Sequence, residues 1–318
     1  MIGKSVALIA LLGMAGAAAA QYPAKPVRMI VGFPPGGPTD LVARLIGPPL
    51  TETMGQQFVI DNRPGAGGTL GATILAKSVA DGYTLLTAAN GEIAIAPSLY
   101  PKLPYDPTRD LAPVSRIGSS PLLLAVHPGV AATSVKELIA LAKSRPGTIN
   151  FASGGIGSTP HLASEMLKVL AAIDIVHVPY KGGGPAISDA IGGQVQMLIS
   201  GVAAIMPHAK SGRLRALATT GEQRLAVWPE LPTIGETVPG YQANSWYGVF
   251  APAGTPKNII ARLHGAIAAA VRNAEVGVRM TAMGLEAEGS DPARFAAQVR
   301  EEIAKWAKVV KTAGVKAD

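Results

Sequence analysis

The stretch VRMIVGFPPGGPTD, residues 27–40, decides the fold, because it joins a β-type run to a helix through a glycine turn. Gly36 and Gly37 turn the chain, and Pro38 fits the first helical turn, where a missing N–H costs nothing. Unpaired N–H groups and the positive end of the helix dipole converge there, which suits a carboxylate or a phosphate. The stretch therefore predicts a strand, a turn and a helix whose start binds an anion.

A second stretch, INFASGGIGSTPH at residues 149–161, repeats this order of strand, glycine turn and helix. Pro160 stands in the first helical turn, and Ser158 or Thr159 is expected to cap the helix. One such turn is a weak signal, whereas two in distant parts of the chain predict half-sites that face each other. We therefore expect Gly37 and Gly157 to border one shared cavity.

Short apolar β-type runs alternate with helical patterns, which predicts two α/β units, each an open, mostly parallel sheet flanked by helices. The predicted strands are 27–31, 58–60 and 83–87 in the first unit and 122–126, 149–152, 175–178, 195–199 and 214–219 in the second. A further strand at 246–250 precedes two helices that have no sheet of their own to cover. We expect them to return to the first unit, so that two crossing strands form a hinge. The predicted lobes are residues 21–122 plus 249–318, and residues 123–248.

Residues 1–20 have the pattern of an export signal peptide. Lys4 gives the basic start, residues 6–18 are apolar, and small residues precede a cut near Ala20, before Gln21. The apolar run is about a dozen residues, short of the ~20 that a membrane-spanning helix needs. We expect a mature periplasmic chain of roughly 300 residues, enough for two domains, with no membrane insertion.

Composition excludes several classes of protein. The chain has no cysteine, which excludes disulfides, thiolate metal sites and cysteine nucleophiles. The formal charge is +7, and the basic residues are scattered, which argues against nucleic acid and favours small anions. The five histidines show no paired metal-ligand spacing, so neither a metal nor another cofactor is expected.

Ser158 and His161 are three residues apart at a predicted helix start and could act together in an exported serine hydrolase. However, no strained G-x-S-x-G turn surrounds Ser158, so capping and ligand binding are favoured over nucleophilic catalysis. Asp40 has two interpretations. It is either a helix-capping acid or a group that points into the cleft and accepts a hydrogen bond from a ligand.

The stretch RPGAGGTLG, residues 63–71, resembles a dinucleotide loop but fails its spacing, because Leu70 replaces the third glycine. It also lacks the lysine of a P-loop. We expect a turn and a helix start that bring Gly68 and Thr69 to the same cleft; a purely structural turn is the alternative. The loop of Tyr180 and Lys181 follows another strand, where the tyrosine could form a wall of the cleft.

Several motifs follow one another along the chain in a specific order. They are FPPGG (33–37) with Asp40, DNRPGAGG (61–68), YDP (105–107) with DLAPV (110–114), HVPYKG (177–182), and Trp246 with FAP (250–252). Together they resemble the Bug family, the periplasmic solute receptors of tripartite tricarboxylate transporters. The resemblance covers essentially the whole mature chain. It implies a Venus-flytrap receptor with the periplasmic-binding-protein fold, which closes on a small carboxylate without chemical turnover.

In that family a ligand carboxylate is held between two lobes by loop backbone groups, small hydroxyl side chains and bridging waters. The resemblance assigns these roles to Phe33, Gly36, Gly37 and Asp40 on one side and to Gly157, Ser158, Thr159 and His161 on the other. It adds Gly68, Thr69, Asn90, Tyr180, Lys181 and Gly182. Membrane permease subunits or a sensor protein are the implied partners.

Two departures from the family pattern stand out. Pro48 and Pro49 interrupt the first predicted helix, which we expect to kink or restart. Ile199, Ser200 and Gly201 replace a position that is often acidic, which makes that side of the pocket less charged. The family binds amino acids, citrate-like acids and aromatic acids, so membership does not identify the ligand. The remaining alternatives are the serine hydrolase, a receptor for phosphate or sulfate, and a structural or adhesive envelope protein.

Overall fold

The structure, a computed structural model, describes residues 22–316, and the predicted signal peptide lies outside this range. The strands are β1 (Val27–Val31), β2 (Phe58–Asn62), β3 (Thr84–Ala89), β4 (Leu111–Val126), β5 (Asn150–Ser153), β6 (Val176–Pro179), β7 (Met197–Gly201), β8 (Arg215–Thr219), β9 (Asn244–Pro252) and β10 (Glu286–Ala287). The helices are α1 (Pro38–Met54), α2 (Thr69–Ala76), α3 (Ala96–Leu99), α4 (Val135–Ser144), α5 (Thr159–Ala171), α6 (Gly183–Ile191), α7 (Val202–Lys210), α8 (Lys257–Arg272), α9 (Ala274–Ala282) and α10 (Pro292–Ala313). Within this range no helix has the length and apolar character to cross a bilayer.

The strands form one mixed sheet in the order β2-β1-β3-β9-β4-β7-β5-β6, with β8 and β10 paired to β4. β1 pairs in parallel with β2 and β3, and β5 pairs in parallel with β6 and β7. The α/β fold is confirmed, and the parallel pairing that we expected for most of each sheet is found among these outer strands. β4 and β9 run antiparallel to their neighbours, and both lie where the two halves of the sheet meet.

β4 is a 16-residue strand that belongs to both halves of the sheet. Up to Pro121 it pairs with β9, from Leu122 it pairs with β7, and from Leu123 it also pairs with β8. The sequence predicts only residues 122–126 as strand, because Pro113 and Pro121 cannot donate to a ladder. The register shifts after Pro113, and Pro121 stands where β4 leaves β9, so both prolines occupy positions that tolerate a missing donor. Below, lobe 1 is the half built on β1, β2, β3 and β9, and lobe 2 is the half built on β5 to β8.

The last helices return to lobe 1. α8 packs against α1 and β4, and α10 packs against β4 and α3. α10 also contacts α5 of lobe 2. β9 pairs with β4 from Asn244 onward and with β3 from Tyr247 onward, so the second crossing strand runs through the predicted bound between residues 248 and 249. The lobe bounds themselves stay a proposal.

α1 continues through Pro48 and Pro49 as one helix, so the predicted restart does not occur. The two prolines remove two backbone hydrogen bonds from its interior. The helix persists because its apolar face, with Leu45, Ile46 and Leu50, is fully buried in the core of lobe 1. The free energy gained by burying this face therefore outweighs the low helix propensity of proline at positions 48 and 49.

One apolar core extends through both lobes. Ile30 of lobe 1 belongs to the same cluster of contacting side chains as Phe151 and Leu162 of lobe 2. Trp246 of β9 packs edge-on against Phe295 of α10, with ring centroids 5.4 Å apart. The base of the cleft is therefore close-packed, and it supports the loops that precede α1 and α5.

Candidate functional site

The turns before α1 and α5 meet at a small cavity between the lobes, here called the inner cavity. Its volume is about 60 Å³. Lobe 1 contributes Gly37, Pro38 and Thr39, and lobe 2 contributes Ser158 and Thr159. The other lining residues are Phe33, Ala89, Gly91, Leu122, Gly154, Pro160, Gly183, Ser200, Gly201, Ser245 and Tyr247. The two predicted helix starts thus border one space.

Gly157 does not itself line this space. A Cβ built on Gly91 of lobe 1 would lie 3.3 Å from the Gly157 carbonyl oxygen and 3.5 Å from the Ser158 Cα. Glycine at position 91 therefore lets the two lobes approach closely beside the inner cavity.

A larger outer cavity of about 450 Å³ adjoins the inner one, with Phe33 and Gly154 bordering both. It holds four more of the predicted site residues, which are Gly68, Tyr180, Lys181 and Gly182. Its other lining residues are Gly32, Pro34, Pro64, Gly65, Ala66, Gly67, Tyr100, Gly155, Ile156 and Pro179. Lys181 brings a cationic side chain to this space. The Tyr180 hydroxyl is fixed by donating to Asp189 at 2.8 Å.

The start of α1 is held by a buried carboxylate. Asp40 Oδ2 accepts from the Gly36 N–H and from Arg44 Nε, both at 2.9 Å, and Oδ1 accepts from Asn62 Nδ2 at 2.9 Å. Burial alone would raise the pKa of Asp40, but these hydrogen bonds outweigh it and lower the pKa below its usual value. Asp40 is thus directed toward its own loop and lines neither cavity. No side chain caps α1, whose N-cap is Gly37.

The start of α5 is held by neutral groups. Ser158 Oγ accepts from the His161 N–H at 3.4 Å and donates to the Gly155 carbonyl at 2.8 Å, which confirms the predicted cap. His161 Nδ1 accepts from the Gly157 N–H at 3.1 Å, and its ring stacks on His177 with centroids 3.9 Å apart. Burial, and secondarily His177, lower the pKa of His161 to about 3, so the ring is neutral.

The contacts of Ser158 and His161 bear on the hydrolase alternative. A serine nucleophile requires a hydrogen bond to its general base. In the described chain, the Ser158 hydroxyl donates to a backbone carbonyl, and the acceptor nitrogen of the imidazole receives a backbone N–H. This arrangement caps a helix and does not activate a nucleophile.

Other predicted site residues also lie away from the two cavities. Asn90 Nδ2 donates to Glu302 at 2.9 Å and its Oδ1 accepts from the Trp246 N–H at 2.8 Å, so it ties β9 to α10. The Thr69 hydroxyl donates to the Ala66 carbonyl at 2.9 Å, which stabilises the turn before α2. Gly36 serves the turn itself, with φ of +82°. In this arrangement the Asn90 amide is already satisfied by protein groups, which does not support a ligand contact.

The inner cavity also includes residues outside the predicted set of ligand contacts. Ser200 and Gly201 end β7, and the sequence analysis treats this segment only as a less charged side of the pocket. Ser200 follows an apolar run at the carboxyl end of a strand, where α/β sheets place ligands, so the sequence could have named it as a contact. Ser245 and Tyr247 of β9 were missed. Glu92 is a further missed residue. It is fully buried beside the cavities, and an acid within an apolar run was its only signal. Among residues 22–316 no cluster of side chains fits a metal ion.

Known proteins match nearly the whole chain. The family described as tripartite tricarboxylate transporter family receptor matches residues 42–315. Protein BugT of Bordetella pertussis is 40% identical over 311 residues, which are 97% of this chain and 95% of BugT. The structure of R. palustris Rpa4515 with adipate superposes with a TM-score of 0.91 at 40% identity, over 93% of this chain and 99% of that one. MatC of Rhodopseudomonas palustris, solved with bound malate, gives a TM-score of 0.87 at 35% identity, over 91% of this chain and 100% of MatC.

Proposed function

The chain belongs to the family of tripartite tricarboxylate transporter receptors, and from that premise we propose that it binds a small carboxylate between its lobes. It acts in the periplasm and delivers the ligand to a permease of the tripartite tricarboxylate type or reports it to a sensor protein. It acts by binding and closure, without chemical turnover. The adipate and malate found with Rpa4515 and MatC support a ligand with two carboxylates.

One observation carries this proposal: two helix starts from different lobes border the same inner cavity. None of the described lining residues has a charged side chain, so recognition of an anion there depends on backbone N–H groups, hydroxyls and helix dipoles. Each hydrogen bond to a carboxylate contributes on the order of 1.5 to 3 kcal/mol. Because donors come from both lobes, a bound carboxylate stabilises the closed arrangement.

The rest of the ligand occupies the outer cavity in this proposal. This cavity adjoins the inner cavity through Phe33 and Gly154, it is several times larger, and it brings the Lys181 ammonium to a position outside the inner cavity. A chain of four to six carbons with a carboxylate at each end fits this division, with one carboxylate at the helix starts and the other toward Lys181. The apolar Phe33 ring contacts the carbon chain between them.

Thermal unfolding with a panel of anions tests the proposal, because a ligand that binds only the folded state raises the melting temperature with concentration. Adipate and malate are compared with phosphate and sulfate, and each is competed against the others. A rise with a dicarboxylate that phosphate does not displace supports the proposal. Stabilisation by phosphate alone supports the oxyanion alternative, and no stabilisation by any anion overturns both.

A separate assay addresses the hydrolase alternative. Purified protein and its Ser158→Ala variant are compared for turnover of simple carboxylic esters. We expect no turnover above the rate in buffer for either protein. Turnover that the variant abolishes would contradict the proposed function.

A further inference from the structure

Glu92 lies directly behind the wall of the two cavities. It follows Gly91, which lines the inner cavity, in the single π-helical turn after β3. A Cβ built on Gly68 would lie 3.1 Å from the Glu92 Cδ and 3.0 Å from the ring of Phe33. Gly68 and Phe33 both line the outer cavity. One layer of residues, which includes Gly68 and Phe33, therefore separates the Glu92 carboxyl group from the proposed ligand space.

The hydrogen bonds of this carboxyl group are incomplete. Glu92 is 0% exposed, and its Oε1 accepts from the Ala89 N–H at 3.0 Å. Its Oε2 is buried and has no partner among the described residues. No cation among them forms an ion pair with the group, so burial raises its pKa to about 8. The carboxyl is mostly protonated at neutral pH, and Oε2 then carries a hydrogen that requires an acceptor.

The turn that carries Glu92 packs against α2, α3, β3 and α10. Tyr105 and Tyr247 interact electrostatically with Glu92, Tyr100 follows α3, and His161 lies on α5. The charged residues of α10 are Arg294, Arg300, Glu301, Glu302, Lys305, Lys308 and Lys311. Burial raises the pKa of each tyrosine above its usual value, to about 12 for Tyr247, and His161 is already neutral. The Tyr105 hydroxyl donates to the Glu92 carbonyl, and Glu302 accepts from Asn90 and Trp306. Among Glu92, the three tyrosines and His161, Glu92 is thus the group whose pKa lies between 7 and 9.

We propose that Glu92 is a specificity-determining residue that must hold a proton when the anionic ligand binds. This inference rests on the proposed function. An ionised Glu92 would repel a ligand carboxylate across a wall from which water is excluded, where charge interactions are strong. A protonated Glu92 removes that repulsion. A receptor in which Glu92 is ionised therefore takes up a proton when it binds a dicarboxylate. A ligand with an ammonium group beside Glu92 would show the opposite trend, with affinity that falls as the pH falls.

Isothermal titration calorimetry with adipate at pH 7, 8 and 9 tests the inference, because adipate is fully ionised across this range. If only the protonated receptor binds, affinity falls by about tenfold between pH 7 and pH 9, in proportion to the protonated fraction. Titrations in buffers of different ionisation enthalpy then show uptake of roughly half a proton at pH 8. Glu92→Gln keeps the acceptor for Ala89 and carries no charge, so its affinity stays constant. Glu52→Gln, an exposed acid on α1, is the matched control and keeps the wild-type profile.

The outcomes separate the two proposals. Wild-type affinity that is constant from pH 7 to pH 9, or that rises with pH, overturns the role of Glu92 but leaves carboxylate binding intact. A pH profile that persists in Glu92→Gln also overturns it. If Glu92→Gln does not fold, the wild-type proton uptake decides, since zero uptake at pH 8 contradicts the inference. Absence of binding to every carboxylate at pH 7 refutes the proposed function instead.

Discussion

The two helix starts at the inner cavity have similar sequences but are held by different interactions. At α1, an ionised Asp40 accepts from Gly36, Arg44 and Asn62, and no side chain caps the helix. At α5, a serine hydroxyl caps the helix and a neutral histidine accepts from the turn. Lobe 1 therefore offers uncapped N–H groups, whereas lobe 2 offers mainly hydroxyls.

This difference shows what a turn of glycines followed by proline predicts and what it does not. The pattern predicts where a helix begins, because glycine permits the turn and proline fits the first helical position. It does not predict which group satisfies the first N–H groups, because that depends on side chains brought in from elsewhere in the fold. Asn62, for example, reaches Asp40 from β2.

Asp40→Ala gives the largest expected effect and tests the ionic side of the comparison. The substitution removes the buried acceptor of the Gly36 N–H and of one amide hydrogen of Asn62, and it leaves Arg44 without its ion-pair partner. The free energy of unfolding therefore falls by about 3 kcal/mol. Urea denaturation at pH 7 measures the loss. Asp291→Ala is the control, because Asp291 caps α10 in an exposed position and its loss costs about 1 kcal/mol. Equal losses in the two variants would show that the Asp40 network is no stronger than an ordinary cap.

Gly182→Ala tests whether the closed contact between the lobes contributes to binding. Gly182 has a φ of +122°, and a Cβ there would lie 2.8 Å from Pro34 of lobe 1. The substitution therefore hinders closure, and we expect affinity for adipate to fall by about tenfold, equivalent to 1.4 kcal/mol. Titration calorimetry measures the change.

The matched control for closure is Gly184→Ala. A Cβ on Gly184, two residues further along the same loop and helix, meets nothing within 4 Å. Affinity should therefore stay at the wild-type value. A similar loss in both variants would mean that the loop backbone, and not the contact with Pro34, is responsible.

Ser158→Ala tests the neutral side of the comparison. Loss of the cap lowers the free energy of unfolding by about 1 kcal/mol. Because Ser158 also borders the inner cavity, adipate affinity should fall several-fold as well. Ser134→Ala removes the equivalent cap of α4, and Ser134 borders neither cavity. This variant should therefore lose stability but keep the wild-type affinity for adipate. Unchanged affinity in Ser158→Ala would remove this hydroxyl from the ligand site.

Lys181→Ala has the smallest expected effect. Its side chain lies in the exposed mouth of the outer cavity, where solvent and salt screen its charge. Affinity should fall by no more than about threefold, mainly through slower association at low salt. Stopped-flow binding at two salt concentrations measures this, with Lys210→Ala as a control from outside the cavities. A loss above tenfold would place a ligand carboxylate in direct contact with Lys181.

Much of the fold could be predicted from sequence because strands and helices alternate with clear boundaries. The helix starts at Pro38 and Pro160 and the return of the last helices to lobe 1 follow from local pattern and from the need to cover apolar faces. The length of β4 could not be predicted. Its prolines are acceptable only where β9 and the neighbouring strands leave a gap in the ladder, and that gap is a property of the assembled sheet.

The site was predicted less completely than the fold. Loop residues such as Phe33 and Ser158 border the cavities because glycine turns at strand ends expose them. Asn90 follows a strand in the same manner, yet its amide is directed to β9 and α10, whose positions sequence does not give. Glu92 was missed for the same reason, because its burial depends on Gly68 and Phe33 folding over it.

The sharing of β4 has a consequence for the life of this receptor in the cell envelope. Unfolding of one lobe exposes part of a strand that continues into the other, since residues 111–121 pair with β9 and residues 122–126 pair with β7 and β8. We therefore expect the two lobes to lose their structure together. A receptor with one intact half is then a minor species, and proteases of the envelope meet mainly complete receptors or fully open chains.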